Sequence, residues 1–267
     1  MDEIRRINYQ IDKFGTAFTT SMLTDQEAFY DFRAEIYDEQ NEVPQRKKRR
    51  QIIFGIYHKI LKKYLKYKKV IYLDFGCGTG SATLEFIKGL YNYSKISQGF
   101  TIDVSKEMVK IAKSYLPEFN IQQGSVNKIL SQNAFDLITA FFHVLCHLNE
   151  VELNKFFKNT HRSLKKDGLV CFDVIKQFDV NEHGYTKKDQ EENKKYIAYH
   201  SLKKDRSKIV DRKGNPIIGT DRMFSKKDIL DITKKYHFKI VAIKEVKIEN
   251  PDPKIGYLKE FAVVLQK

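Results

Sequence analysis

Residues Val70–Gly80 read VIYLDFGCGTG, an apolar run that ends in an acid, Asp74, and continues into glycines at positions 76, 78 and 80. The segment SATLEFIKGL, which favours a helix, follows directly. This order predicts a strand, a tight turn and a helix. Glycine tolerates positive φ and has no Cβ, so a ligand can approach the backbone of such a turn closely. The start of the helix adds unpaired N–H groups and a favourable dipole.

Strand-like and helix-like segments alternate through the rest of the chain. We predict strands at 70–75, 98–103, 119–123, 135–141, 168–175, 238–246 and 258–266, and helices near 80–92, 105–116, 149–165 and 225–236. This alternation is typical of a mainly parallel sheet that is covered by helices on both faces. The predicted fold class is therefore α/β, with a Rossmann-like, seven-stranded, mostly parallel sheet. In such sheets, ligands bind at the carboxyl ends of the strands.

Two parts of the chain lie outside this alternation. Residues 1–66 contain two predicted helices and would form an N-terminal helical lid. The second of these helices opens with RKKRR at 46–50, which we interpret as a solvated face, although one of its arginines could reach a carboxylate. Residues 176–222 contain short alternating pieces that predict a β-hairpin with its turn at Lys213-Gly214-Asn215. They would cap the substrate side of a core formed by 67–175 and 223–267.

Composition limits the compartment and the partners of the protein. The net charge is +14, but acids are interleaved with the lysines almost everywhere, which favours scattered, solvated lysines. The three cysteines form no C-x-x-C pair. The N-terminus MDEIRR lacks the apolar region of a signal peptide. No apolar run reaches the roughly 18 residues that a membrane span needs. We therefore expect a cytoplasmic protein without a membrane partner.

The cofactor is suggested by a second acid. Asp103 ends the second predicted strand, where a carboxylate can accept hydrogen bonds from both hydroxyls of a ribose. The glycine turn lacks the G-x-G-x-x-G spacing that seats a pyrophosphate. The leading acid, Asp74, also suits a cationic amino-acid group better than a pyrophosphate. A nucleoside that carries a cationic amino acid fits both acids better than a dinucleotide does.

Five segments, in this order along the chain, resemble the class I S-adenosylmethionine-dependent methyltransferases. They are LDFGCGTG, GFTIDVSKEMVKIAK, IQQGSV, FDLITAFFHVLCHL and LKKDGLVCFDVI. The resemblance spans about 70–175, and RMFSKKDILDITKKYHFKIVAI is similar to the closing helix and strand of the family. It implies S-adenosylmethionine as cofactor. The implied cofactor contacts are Asp74, Gly76, Cys77, Gly78 and Gly80 around the turn, Asp103 at the ribose, Val104 and Met108 beside the adenine, Gly124, Ser125 and Val126 at the adenine edge, and Phe141 and Phe142 after the fourth strand.

The resemblance leaves some of these roles open. The family often has an acid where Ser125 stands, to accept from the adenine amino group. Phe141 and Phe142 could equally be plain core residues. The segment FYDFRAEIYD resembles the lid of small-molecule methyltransferases, which implies that Tyr37 contacts the methionine end and Tyr30 the acceptor. The alternative for this segment is an amphipathic helix that only packs on the domain.

The catalytic candidates are His143 and His147, which lie just past the fourth predicted strand. Histidine titrates near neutrality, as a general base should. The pattern xFFHVLCHL resembles the sugar-modifying members of the family, which implies that His147 is the base and that His143 lies closer to the cofactor. No carboxylate partner for the two histidines is evident nearby, so we predict no metal site.

The leading hypothesis is a methyltransferase that acts on an oxygen or nitrogen of a small molecule, such as a sugar, a nucleotide sugar or an amine. The alternative is an RNA- or protein-modifying methyltransferase, because several basic residues cluster in the predicted cap: Lys203, Lys204, Arg206, Lys208, Arg212 and Lys213. Nucleic acid is a possible partner that we do not favour, because the sequence has no N-P-P-Y or D-P-P-Y motif. A third hypothesis is a non-enzymatic module that keeps the cofactor-binding fold, although the intact glycine turn and Asp103 argue against it.

Overall fold

The computed structural model describes residues 21–126, 131–176, 196–198, 220–249 and 257–267. The helices are α1 (Ser21–Asn41), α2 (Pro44–Leu65), α3 (Ser81–Leu90), α4 (Lys106–Tyr115), α5 (Glu150–Ser163) and α6 (Lys226–Lys235), with a short 3₁₀ helix at Val144–His147. The strands are β1 (Lys69–Phe75), β2 (Lys95–Asp103), β3 (Asn120–Gln123), β4 (Phe135–Ala140), β5 (Leu164–Ile175), β6 (Tyr196–Ala198), β7 (Thr220–Arg222), β8 (Lys239–Glu249) and β9 (Tyr257–Gln266).

Seven of these strands form one sheet in the order β3-β2-β1-β4-β5-β9-β8. The pairs from β3 to β5 are parallel, whereas β9 runs antiparallel to both of its neighbours. The predicted fold class is therefore confirmed, including the number of strands and the mostly parallel sheet. The order reverses beside β1, so that the glycine turn after β1 lies at the switch point where such sheets bind ligands.

Helices cover both faces of the sheet, and successive residues of its central strands point to opposite faces. One face packs against α5 and α6, and its strand residues include Leu73, Ile138 and Phe172. The other face packs against α2 and α3, and its strand residues include Tyr72, Leu137 and Cys171. Continuous apolar runs in the sequence are what a strand with two buried faces requires.

The two segments outside the alternation are described in part. Helices α1 and α2 lie in the region that was expected to be a lid, and β6 pairs antiparallel with β7. The predicted turn at Lys213-Gly214-Asn215 and the basic residues from Lys203 to Lys213 lie outside the described residues. The four predicted domain boundaries stay a prediction. No helix in the described part of the chain is both long and apolar enough to cross a membrane.

Candidate active site

The glycine turn after β1 adopts a conformation that other residues rarely accept. Gly76 has φ of 69° and Gly78 has φ of 56°. A Cβ on Gly76 would lie 2.4 Å from Cγ2 of Val144, and one on Gly78 would lie 3.5 Å from the ring of Tyr37. The backbone N–H of Gly76 donates to the carbonyl of Ile102 over 2.7 Å, which ties the turn to the end of β2. The turn is thus closely covered by the loop after β4 and by α1.

Asp103 lies at the end of β2, beside the glycine turn. Its carboxylate accepts from the backbone N–H of Gly78 over 2.8 Å and from that of Ser105 over 2.9 Å. Burial raises the pKa of Asp103 to about 6, although these two N–H groups favour the charged form and offset part of the shift. The side chain is 7% exposed and lines a cavity.

The cavity occupies about 820 Å³ when its open mouth is included. Most of the predicted site residues line it. Helix α1 contributes Tyr30 and Tyr37, and the loop after β4 contributes Phe141, Phe142 and His147. The carboxyl ends of β1, β2 and β3 contribute the remaining predicted residues, which are Gly76, Gly78, Asp103, Val104, Gly124, Ser125 and Val126.

Four predicted cofactor residues lie outside the cavity lining. Asp74 is 2% exposed and accepts from the hydroxyls of Thr83 and Thr139, so that it joins β1 to α3 and β4. Burial raises its pKa to about 7, although the two hydroxyl donors favour its charged form. Gly80 begins α3, where a Cβ would meet Leu116, while Cys77 and Met108 are buried. None of these four residues lines the cavity.

Three acids on one stripe of α1 attach this helix across the carboxyl ends of the strands. Glu27 accepts from the side chain of Gln123, at the end of β3. Asp31 accepts from Ser105 Oγ and from the N–H of Glu107, at the start of α4. Asp38 accepts from the hydroxyls of Thr79 and Ser81, at the start of α3. The sequence analysis missed this role, although spacings of four and seven residues along a helix indicate a common face.

The attached helix brings Tyr30 next to His147. The Tyr30 hydroxyl lies 2.9 Å from Nε2 of His147, and the two rings meet edge to face with centroids 5.7 Å apart. Tyr37 lies farther along the same helix face, with its ring centroid 6.2 Å from that of Tyr30. Two residues that are 117 positions apart in sequence therefore form one hydrogen-bonded pair in the cavity wall.

His143 lies outside the cavity lining. It adopts φ of 69°, directly after Phe142 with φ of 57°. The carboxylate of Asp173 accepts from the backbone N–H groups of Phe142 and His143 over 2.9 and 3.1 Å. The ring atom Nε2 of His143 lies 2.8 Å from Oε1 of Glu260. The expectation that no carboxylate lies near the histidines was therefore wrong, because Asp173 and Glu260 come from strands distant in sequence.

A guanidinium balances the two carboxylates. Arg49 contacts Glu260 through Nε at 2.8 Å and Asp173 through Nη2 at 3.2 Å, and both carboxylate side chains are fully buried. The guanidinium also lies over the ring of Phe142, 5.0 Å from its centroid, and so connects this cluster to the cavity wall. The sequence analysis had allowed that one arginine of RKKRR could reach a carboxylate, and this prediction is confirmed.

His143, Asp173 and Glu260 offer three potential metal ligands within 4.8 Å of one another. The guanidinium of Arg49 lies against all three side chains, 2.7 Å from Nε2 of the histidine, and already supplies the positive charge. Burial disfavours the Glu260 carboxylate, but Arg49 and His143 outweigh burial and lower its pKa to about 2. Burial raises the pKa of Asp173, with Arg49 opposing the shift. The arrangement fits a buried ion-pair network better than a metal centre.

Comparisons with known proteins agree with this geometry. A family described as "Methyltransferase domain" matches residues 72–168. The chain is 30% identical over 197 residues to an uncharacterized protein of Methanocaldococcus jannaschii, covering 71% of each chain. It is 31% identical over 173 residues to an uncharacterized methyltransferase of Oceanobacillus iheyensis, covering 64% of this chain and 73% of the relative.

A solved structure shares the fold over most of the chain. It is the 1,6-didemethyltoxoflavin-N1-methyltransferase of Burkholderia thailandensis with bound 1,6-didemethyltoxoflavin and S-adenosylhomocysteine. The TM-score is 0.57 at 16% sequence identity, and the match covers 90% of this chain and 87% of the other. At this identity, the similarity concerns the fold alone.

Proposed function

The chain belongs to the class I S-adenosylmethionine-dependent methyltransferases, and we propose that it methylates an oxygen or nitrogen of a small molecule. One observation carries the proposal: the Tyr30–His147 pair lines the same cavity as Asp103 and the glycine turn. A proton acceptor and a nucleoside-binding carboxylate then face a shared space, as a transfer reaction requires.

The residues at the glycine turn fit the cofactor. The Asp103 carboxylate is held by two backbone N–H groups and can still accept from the ribose hydroxyls, since each carboxylate oxygen has two lone pairs. Gly76 and Gly78 leave their backbone open to the cavity, and Val104 adds an apolar contact. When bound, the cofactor supplies an electrophilic methyl group, so that the protein mainly contributes alignment and a proton acceptor.

His147 would act as the general base. Its ring lies in the 3₁₀ helix after β4, and the Tyr30 hydroxyl holds Nε2 in a defined position in the cavity wall. In the proposed reaction, the Tyr30 hydroxyl gives its proton to Nε2 of His147 and takes the proton of the acceptor's hydroxyl or ammonium group, so that the acceptor atom can attack the methyl group with a lone pair. Tyr30 orients the ring and contacts the acceptor.

Three features support a small acceptor. Helix α1 covers the cavity and is attached at three points by Glu27, Asp31 and Asp38. Arg222 of β7, the last residue of the segment expected to cap the substrate side, pairs with Glu150, which lies three residues past His147. The neighbour from Burkholderia thailandensis, which shares the fold, is named for a small molecule, 1,6-didemethyltoxoflavin. A cavity that is lined by aromatic rings and covered by a helix suits a small compound better than a polymer.

The test is an activity-based search with labelled S-adenosylmethionine and fractionated metabolite extracts. With the acceptor in hand, His147→Ala should lower turnover by about 10²–10⁴-fold, which is the usual contribution of a general base. The affinity for S-adenosylhomocysteine, measured by calorimetry, should change less than about threefold. The control is His161→Ala, which removes a histidine of α5 that lies outside the cavity lining. Unchanged turnover in His147→Ala would reject His147 as the base, and labelling confined to RNA or protein would reject a small acceptor.

A further inference from the structure

Two polar side chains in the cavity wall have an oxygen without a hydrogen-bond partner among the described residues. They are Glu152, in the first turn of α5, and Gln26, on α1. Glu152 is 3% exposed and Gln26 is 8% exposed, and the unpartnered atom is Oε1 in both. Neither residue was singled out by the sequence analysis.

The side chain of Glu152 is held in place by its other oxygen. Oε2 accepts from the backbone N–H of Asn149 over 3.1 Å, while the side chain of Asn149 accepts from the N–H of Glu152 over 2.9 Å. This reciprocal pair is a capping box at the start of α5. It uses one carboxylate oxygen and leaves the second one buried. A buried acceptor without a donor costs about 1–3 kcal/mol, so a ligand that supplies an N–H group would be stabilised here.

Both residues belong to elements that are joined to the exit of β3. Gln26 precedes Glu27, which accepts from Gln123 at the end of β3. Helix α5, which carries Glu152, donates from Asn159 to the carbonyl of Val126. The exit of β3 lies next to the ribose position at Asp103, because β2 and β3 are paired neighbours. The base of a nucleoside whose ribose is held at Asp103 would extend toward these residues.

We infer that Glu152 and Gln26 together recognise the exocyclic amino group of the cofactor's adenine. This amino group has two N–H donors and no good acceptor, and the two residues offer two buried oxygens. The hydroxyl of Ser125 is the other side-chain group at this edge of the cavity. A base with a carbonyl oxygen in place of the amino group would put that oxygen against the Glu152 carboxylate, which cannot donate, and would require the Gln26 amide to turn its N–H group toward the base. The site should therefore select adenine against hypoxanthine.

The experiment compares S-adenosylhomocysteine with S-inosylhomocysteine, which has a carbonyl oxygen at that position. Calorimetry gives the ratio of the two dissociation constants, and it needs neither a methyl acceptor nor turnover. The wild type should prefer S-adenosylhomocysteine by about tenfold or more, as expected for a hydrogen bond to a charged group. Glu152→Gln keeps an oxygen for the N–H of Asn149 and turns an N–H toward the base. It should shrink the ratio by about tenfold or more.

Two further variants make the test specific. Gln26→Met removes the acceptor on the other helix and should shrink the ratio severalfold, even if Glu152→Gln folds poorly. Glu118→Gln makes the same chemical change at an exposed position before β3 and should leave the ratio unchanged. A ratio that stays at the wild-type value in both Glu152→Gln and Gln26→Met would overturn the inference, and so would an equal loss of affinity for both ligands. Such a negative result would not bear on the proposed acceptor or on His147 as the base, because neither of them affects the binding measurement.

Discussion

Replacing Arg49 with methionine would leave two fully buried carboxylates, Asp173 and Glu260, without the guanidinium that contacts both of them at 3.2 and 2.8 Å. Methionine has a similar length and is apolar, so the packing against the ring of Phe142 is largely kept while the charge is removed. Removing one partner of a buried ion pair typically costs about 3–5 kcal/mol, because the remaining charge is not compensated. We expect a loss of this size in the free energy of unfolding at pH 7.

The loss should be visible as a fall in the melting temperature of roughly 6–20 °C, since about 1 kcal/mol corresponds to about 2–4 °C in a chain of this size. Thermal and urea denaturation followed by circular dichroism would measure it. Lys47→Met is the matched control. Lys47 pairs with Glu42 at 3.7 Å, and both side chains are more than half exposed, so its removal should cost less than about 1 kcal/mol.

The pH dependence gives a second, independent check. Glu260 has its pKa lowered to about 2, so in the wild type its stabilising contribution is fully present above about pH 4.5 and is lost as pH falls toward 2. Without Arg49, protonation of a carboxylate would relieve the uncompensated charge. The stability difference between Arg49→Met and the wild type should therefore narrow as pH falls from 7 to 5. A loss at pH 7 no larger than that of Lys47→Met, or a difference that widens at acid pH, would refute this account.

Two further predictions concern the cofactor site. Burial raises the pKa of Asp103 to about 6, and in the proposed site the charged form would accept from the ribose hydroxyls. The calorimetric dissociation constant for S-adenosylhomocysteine should therefore rise as pH falls below about 6, and Asp103→Asn should weaken binding by about tenfold or more at pH 8 while removing most of that pH dependence. Gly76→Ala places a Cβ 2.4 Å from Val144 at φ of 69° and should lower stability by about 1–3 kcal/mol, together with cofactor affinity. Gly55→Ala, which meets nothing within 4 Å inside α2, should be neutral or stabilising in the same denaturation assay.

The strands and the glycine turn were predictable because their patterns are local. Continuous apolar runs bounded by polar segments indicate strands buried on both faces, and all seven predicted strands are present in the sheet. The boundaries differ where a strand extends into polar residues. For example, β2 begins at Lys95, where backbone pairing with β1 continues although the side chains are exposed. The place of Asp103 at the end of β2 was predictable because the same local pattern marks where a strand ends.

By itself, the sequence determined the fold class, the cofactor and the position of the glycine turn after β1. These features depend on backbone conformation and on the periodicity of apolar residues, both of which neighbouring residues specify. The tertiary structure alone decided which side chains meet. It joined Tyr30 to His147, brought Arg49 to Asp173 and Glu260, and turned Asp74 away from the cavity. Such contacts depend on how helices pack across the sheet, and no spacing in a single chain encodes that packing.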